Sequence, residues 1–206
     1  MNINPHLKQR LVTDYKKLQK MVHHFRGLGL RIVLTQGTYD MVHIGHARYL
    51  GEAKEHGDVL IVGIDSDEKV RARKGPDRPI VPQEERLEMV SHLKPVDVVV
   101  LKPHKAVRWS LIKIVRPDVL IATKETYSPE DLHALKQYCQ KVTVLESKAV
   151  TTTSAKIRRL QISTAKKLEQ ELTPRIMNVI AEVLGDLQGK AGIKTPAVQV
   201  KKGGKK

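Results

Sequence analysis

Five short, almost unbroken apolar runs stand at near-regular intervals over the first 146 residues. RIVLTQ (31–36), VLIVGI (59–64), VDVVVL (96–101), DVLIAT (118–123) and VTVLE (142–146) each have the length and β-branched content of a buried strand. The segments between them carry helical spacing: HARYLGEAKEHG (46–57), PQEERLEMVSHL (82–93), AVRWSLIKIV (106–115) and SPEDLHALKQYC (128–139). Pro82 suits a first helical turn. Ser128 suits an N-cap, with Glu130 and Asp131 in the turn that follows. Upstream, residues 6–26 place Leu7, Leu11, Leu18, Val22 and Phe25 on one face of a predicted N-terminal helix, which Gly27 to Gly29 would stop.

Strands without polar alternation, separated by helices, predict a parallel sheet covered on both faces. The expected architecture is α/β: an open, Rossmann-like sheet of about five strands with helices on both faces, an N-terminal helix and a C-terminal helical extension. Such sheets bind ligands beyond the carboxyl ends of their strands, where the strand order reverses.

After Leu160 the pattern changes. TTTS (151–154) opens a helix through Leu160, and residues 162–188 read as one or two helices broken at Pro174. Ile176, Val179, Ile180, Val183 and Leu184 form an apolar stripe there, suited to packing on the main domain or on a second subunit in a homodimer. Residues 189–206 are rich in Gly, Pro and Lys and read as a disordered tail. The expected division is 1–161, 162–188 and 189–206.

Charge narrows the partners. Lys and Arg number 37 against 22 Asp and Glu, a net of +15. The last nineteen residues hold six lysines and no acid, yet the remainder still carries +9. Such an excess attracts nucleic acid, anionic lipid or phosphorylated small molecules. Aromatics at 3% argue against a module that stacks single-stranded bases. One cysteine, Cys139, excludes a disulfide framework. No apolar run reaches the length of a membrane span and the N-terminus lacks a secretory h-region, so a cytoplasmic location is expected.

The chemistry concentrates in GTYDMVHIGHARYL (37–50), just past the first strand. His43 and His46, three apart at a helix start, share one side of the first turn. A helix N-terminus offers unpaired N–H groups and partial positive charge, which favours phosphate. Gly45 lets a phosphate approach the backbone; Gly37 and Thr38 offer N–H and hydroxyl donors. A zinc site is not supported, because no third ligand follows at suitable spacing.

These residues resemble the cytidylyltransferase-like branch of the nucleotidyltransferases, whose hallmark is G-T/C-F/Y-D-x-x-H-x-G-H. The resemblance spans residues 8–161 and is strongest to the heptose 1-phosphate adenylyltransferases. KGPDRPIVPQEERLEMV (74–90), PDVLIATKETYSPEDL (117–132) and AVTTTSAKIRRL (149–160) carry it further. It implies a transfer of AMP from ATP to a sugar phosphate, with Mg²⁺ accompanying the triphosphate and pyrophosphate leaving. By the same resemblance His43, His46 and Lys74 are the catalytic candidates. Gly37, Thr38, Asp40, Gly45, Asp65, Arg78, Lys124, Thr152, Thr153 and Ser154 are the nucleotide-binding candidates, and no residue is assigned to a metal. Arg86 fits either a phosphate contact or a surface salt bridge with a neighbouring Glu. Tyr39 replaces the commoner Phe. ATKETY (122–127) departs from the family's V-K-G-G-D-Y, which leaves CTP with a glycerol 3-phosphate-like acceptor, or ATP with flavin mononucleotide, as alternatives. A non-catalytic nucleotide- or RNA-binding protein is the reading from another class; the lysine tail favours it and the intact histidine motif opposes it.

Overall fold

A computed structural model describes residues 9–123, 126–146 and 153–191. The chain divides into two compact units, 1–153 and 154–206.

The first unit is built on six parallel strands: β1 (Leu11–Val12), β2 (Ile32–Gly37), β3 (Val59–Asp65), β4 (Val98–Lys102), β5 (Val119–Ala122) and β6 (Lys141–Val144), in the order β1-β4-β3-β2-β5-β6. The five expected strands are present within one or two residues. The sixth is a correction. Leu11 and Val12 do not continue the N-terminal helix but pair with Val99 and Val100 at the sheet edge. The helix α1 begins only at Tyr15 and runs to Gly27, because Asp14 accepts the Lys16 N–H and caps it. Leu7 lies outside the described residues. Leu18 and Val22 are buried as the spacing requires, and Gly29 takes a left-handed φ of 72° just past the helix end.

The strands alternate between two cores. Ile32, Leu34, Ile61 and Leu120 face one side with Leu18, Leu111 and Leu135. Val33, Leu60, Val62 and Ile121 face the other with Leu50, Leu87 and Val90. The helices that cover the sheet are α1, α2 (Ile44–Lys54), α4 (Gln83–Ser91), α5 (Ser110–Val115) and α6 (Pro129–Leu135). Ser128 caps α6 as expected, its hydroxyl accepting the Asp131 N–H.

Helix α3 (Asp67–Lys74) was not expected. It has only one buried apolar residue, Val70, so its periodicity is silent. Its ends are legible all the same: Ser66 caps it, Asp67 and Glu68 fill its first turn, Arg71, Arg73 and Lys74 its last, and Gly75 follows at φ 98°.

Gly63 in β3 is a packing requirement. A Cβ there would lie 2.5 Å from Leu111 Cδ2 and 2.9 Å from Lys102 Cδ. Gly63→Ala should therefore destabilise by about 1–3 kcal/mol through overpacking, read as a lower urea midpoint; an unchanged midpoint would show that Leu111 and Lys102 yield freely.

The second unit contains α7 (Thr153–Ala191), a single helix. The break expected at Pro174 is absent, since the helix runs through it. The proline removes one backbone N–H donor from a chain of such bonds on both sides, which a helix exposed to water tolerates.

Candidate functional site

Strand order reverses at β2, which lies between β3 and β5. The chain leaving β2 at Gly37 therefore emerges at the switch point. GTYDM turns there through two left-handed residues, Tyr39 (φ 53°) and Met41 (φ 51°), on either side of Asp40. Non-glycine residues in that region carry backbone strain. Packing offsets it: the Tyr39 ring is buried and folds over Gly37, where a Cβ would stand 2.9 Å from ring atom Cε2. Gly37 thus makes room for Tyr39.

The turn delivers His43 to the N-cap of α2. Gly45 N–H donates to His43 Nδ1 at 3.1 Å, and His43 N–H donates to His46 Nδ1 at 3.3 Å. The two histidines thus replace the hydroxyl and carboxylate of an ordinary capping box. A ring whose Nδ1 accepts must, when neutral, carry its proton on Nε2. The cap therefore fixes both tautomers and leaves each Nε2–H on the far side of its ring from the helix backbone. The two ring centroids are 4.1 Å apart, and the Tyr39 ring lies 5.5 Å from that of His46.

Asp40 anchors the neighbouring loop. It accepts from Arg78 Nε (3.0 Å) and Nη2 (2.7 Å), and from the backbone N–H of Ile80 (3.1 Å) and Val81 (3.0 Å). Burial alone would raise its pKa, but those donors outweigh it and the carboxyl titrates below its ordinary range. A depressed folded-state value stabilises the fold above the ordinary carboxylate range, and that contribution is lost as pH falls through the folded value. Asp40→Asn should flatten the acid limb of the stability curve, measured by urea unfolding from neutral to acid pH; identical curves for both proteins would refute the anchor.

Asp65, at the end of β3 and 1% exposed, faces three cations. Arg73 Nη2 and Lys102 Nζ each lie 3.0 Å from it, and Lys69 Nζ 3.8 Å. The same Arg73 Nη2 donates to Thr38 Oγ1 at 2.8 Å. Lys74, at the end of α3, has its ammonium pKa lowered by burial first and then by Arg73 and Arg78. Lys102 is lowered by burial first, with Lys69 and Arg73 adding to it and Asp65 opposing. Cations outnumber carboxylates around this loop: Lys69, Arg73, Lys74, Arg78, Lys102 and Arg86 surround Asp40, Asp65 and Asp67.

Arg86 sits beneath them, 1% exposed. Its Nε donates to the Val81 carbonyl at 2.9 Å, Nη1 to the Thr38 carbonyl, and Nη2 to the Asp65 carbonyl (2.9 Å) and Asp67 Oδ1 (2.7 Å). Neither reading from the sequence holds for it. It is not at the surface, its acidic partner is Asp67 rather than a neighbouring Glu, and its donors are engaged by the protein.

Of the residues expected in the site, Gly37, Thr38, Asp40, His43, Gly45, His46, Asp65, Lys74 and Arg78 come together at the carboxyl edge around β2 and β3. Lys124 and Thr152 lie outside the described residues. Thr153 and Ser154 open α7. Arg73, Lys69 and Lys102 were missed because α3 was missed and because a lysine at a strand end carries no motif. Tyr127, past β5, accepts from Gln36 Nε2 at 2.8 Å and so is tied to the end of β2.

Asp40 and Asp65 do not fit as Mg²⁺ ligands, since one accepts four hydrogen bonds and the other faces three cations. No cluster of three metal-ligating side chains occurs among the described residues. None of the described helices is long and apolar enough to cross a membrane.

The chain matches the cytidylyltransferase-like family over residues 34–170. Among curated proteins, the bifunctional protein HldE of a Nitratiruptor species is 42% identical over 113 residues, 55% of this chain and 24% of the relative. That of Aliarcobacter butzleri is 33% identical over 162 residues, 78% of this chain and 32% of the relative. The match thus spans about a third or less of these relatives' length. Among solved structures, the pantoate-beta-alanine ligase of Francisella tularensis superposes with a TM-score of 0.52 at 15% identity, covering 68% of this chain and 67% of its own, a likeness of fold alone. With its family match extending over most of the chain, and the G-T-Y-D-x-x-H-x-G-H turn at the switch point of a parallel sheet, this protein belongs to the cytidylyltransferase-like family of nucleotidyltransferases.

Proposed function

We propose that the chain transfers AMP from ATP to a sugar phosphate of the heptose 1-phosphate type and releases pyrophosphate. The observation that carries this reading is the reciprocal cap of His43 and His46, which brings two imidazoles together at a helix N-terminus with each Nδ1 engaged by the backbone. A cationic surplus stands beside it. The resemblance of its motifs to the heptose 1-phosphate adenylyltransferases favours ATP and a sugar phosphate over CTP.

In the reaction a phosphate oxygen of the acceptor attacks the α-phosphorus of the nucleotide. The bond from that phosphorus to the bridging oxygen of pyrophosphate breaks in line, and its electron pair leaves with pyrophosphate. The two Nε2–H groups donate to phosphate oxygens as charge moves onto the leaving group, and the helix N-terminus adds its partial positive charge. Lys74 and Arg73 neutralise the triphosphate, while Asp40 holds Arg78 and the 78–81 loop in place. Thr152, Thr153, Ser154 and Lys124 are proposed as further phosphate contacts on the family pattern. Mg²⁺ would accompany the triphosphate as part of the substrate and offset its phosphate charge, with no residue of this chain assigned to it. No covalent intermediate is required, so positioning and charge neutralisation supply the rate.

The test is pyrophosphate release from ATP or CTP with Mg²⁺ against sugar 1-phosphates, glycerol 3-phosphate and flavin mononucleotide. ATP-dependent release with one sugar phosphate supports the proposal. Release with CTP and glycerol 3-phosphate, or with ATP and flavin mononucleotide, replaces it with a related transfer. Salt-sensitive RNA binding without any release would replace it with a binding role.

A further inference from the structure

Helix α7 exposes ten large apolar side chains, among them Leu172 (47% exposed), Ile176 (54%), Val179 (58%) and Val183 (52%). Ile162, Ala165, Leu172, Ile176, Val179 and Val183 recur at alternating three- and four-residue steps, save for one position, and so share one stripe. Glu169 occupies the missing step. Apolar stripes of this extent mark interaction sites.

Two features of the stripe indicate what covers it. First, four of its six residues are symmetric about Pro174: Leu172 and Ile176 lie two residues either side, and Ala165 and Val183 nine either side. Second, charge is segregated along the helix. Residues 153–168 hold Lys156, Arg158, Arg159, Lys166 and Lys167 and no acid; residues 169–191 hold Glu169, Glu171, Glu182 and Asp186 against Arg175 and Lys190. We propose that α7 pairs with α7 of a second copy of this chain, antiparallel, with the two helices crossing at Pro174.

The antiparallel sense follows from both features. With Pro174 facing Pro174 it sets Lys166 against Glu182, Leu172 against Ile176 and Ala165 against Val183 of the second copy. Glu169 then meets Val179. A parallel pair would place Glu169 against Glu169 and one basic half against the other, both repulsive.

Sedimentation equilibrium of the full chain at micromolar concentration tests the pairing. The expected mass is twice the 23.2 kDa of one chain, falling to one chain in the doubly substituted Ile176→Asp, Val179→Asp protein. A wild-type monomer at every concentration would overturn the proposal and leave the stripe to another partner. Direction is read by oxidative cross-linking in a Cys139→Ser background. Ala165→Cys mixed with Val183→Cys should form an interchain disulfide that neither forms alone. Cross-linking of each variant with itself, and not with the other, would overturn the antiparallel arrangement.

Discussion

His46→Ala is expected to lower pyrophosphate release by a factor of about 10²–10³, the range found when one preorganised donor to a developing oxyanion is removed. The substitution takes away two things at once. It deletes the Nε2–H donor proposed to face the leaving pyrophosphate, and it deletes the Nδ1 that accepts the His43 N–H at 3.3 Å. His46→Asn separates them, because its side-chain oxygen can still accept at the N-cap while no donor stands where Nε2 was. If charge stabilisation is the main role, His46→Asn is as slow as His46→Ala although it unfolds at the wild-type urea concentration. If His46→Asn retains near-wild-type kcat, the histidine serves the helix end and the proposed mechanism fails. His43→Ala should resemble His46→Ala, since it too removes a proposed Nε2–H donor together with the Nδ1 that accepts the Gly45 N–H.

The second large effect is one of stability. Arg86→Met should cost about 3–5 kcal/mol, the usual range for breaking a buried ion pair by removing one partner. Here the carbonyls of Thr38, Asp65 and Val81 also lose their donor. Each belongs to a different segment of the site: the turn after β2, the end of β3 and the loop before α4. The guanidinium joins them from within, so the loss should appear as a lower urea midpoint together with loss of the proposed ATP binding. Arg86→Lys should not rescue either, because one ammonium cannot reproduce a planar fork of donors. A midpoint within about 0.5 kcal/mol of wild type, the scale of an ordinary surface change, would show that Arg86 is not the hub described.

Both effects depend on how residues distant in sequence meet. The histidine pair was legible in the chain because its chemistry is local: an apolar run, a glycine, two histidines three apart and a helix after them. What the resemblance left open was how the rings are held, since a capping role and a phosphate role both follow from that spacing. Asp40 and Arg86 show the limit more sharply. Asp40 is legible in the motif, but that its oxygens accept from the segment 78–81, some forty residues on, is not. Arg86 lies on a helix with polar neighbours, and nothing in QEERLEM marks its side chain as buried.

The sequence by itself determined the α/β class, the parallel sheet, the five long strands and the place of the candidate histidine turn past β2. Hydrophobic period and continuity depend only on which face each residue buries, and that pattern is written in order along the chain. The tertiary structure alone decided the edge strand β1, which exists only because β4 offers it partners, and helix α3, whose stability rests on its caps more than on an apolar stripe. It also decided the pairing of charges. An ion pair is chosen by distance in space, so the cations around Asp65, drawn from α3 and from the end of β4, could be assigned only once β3 and β4 lay side by side.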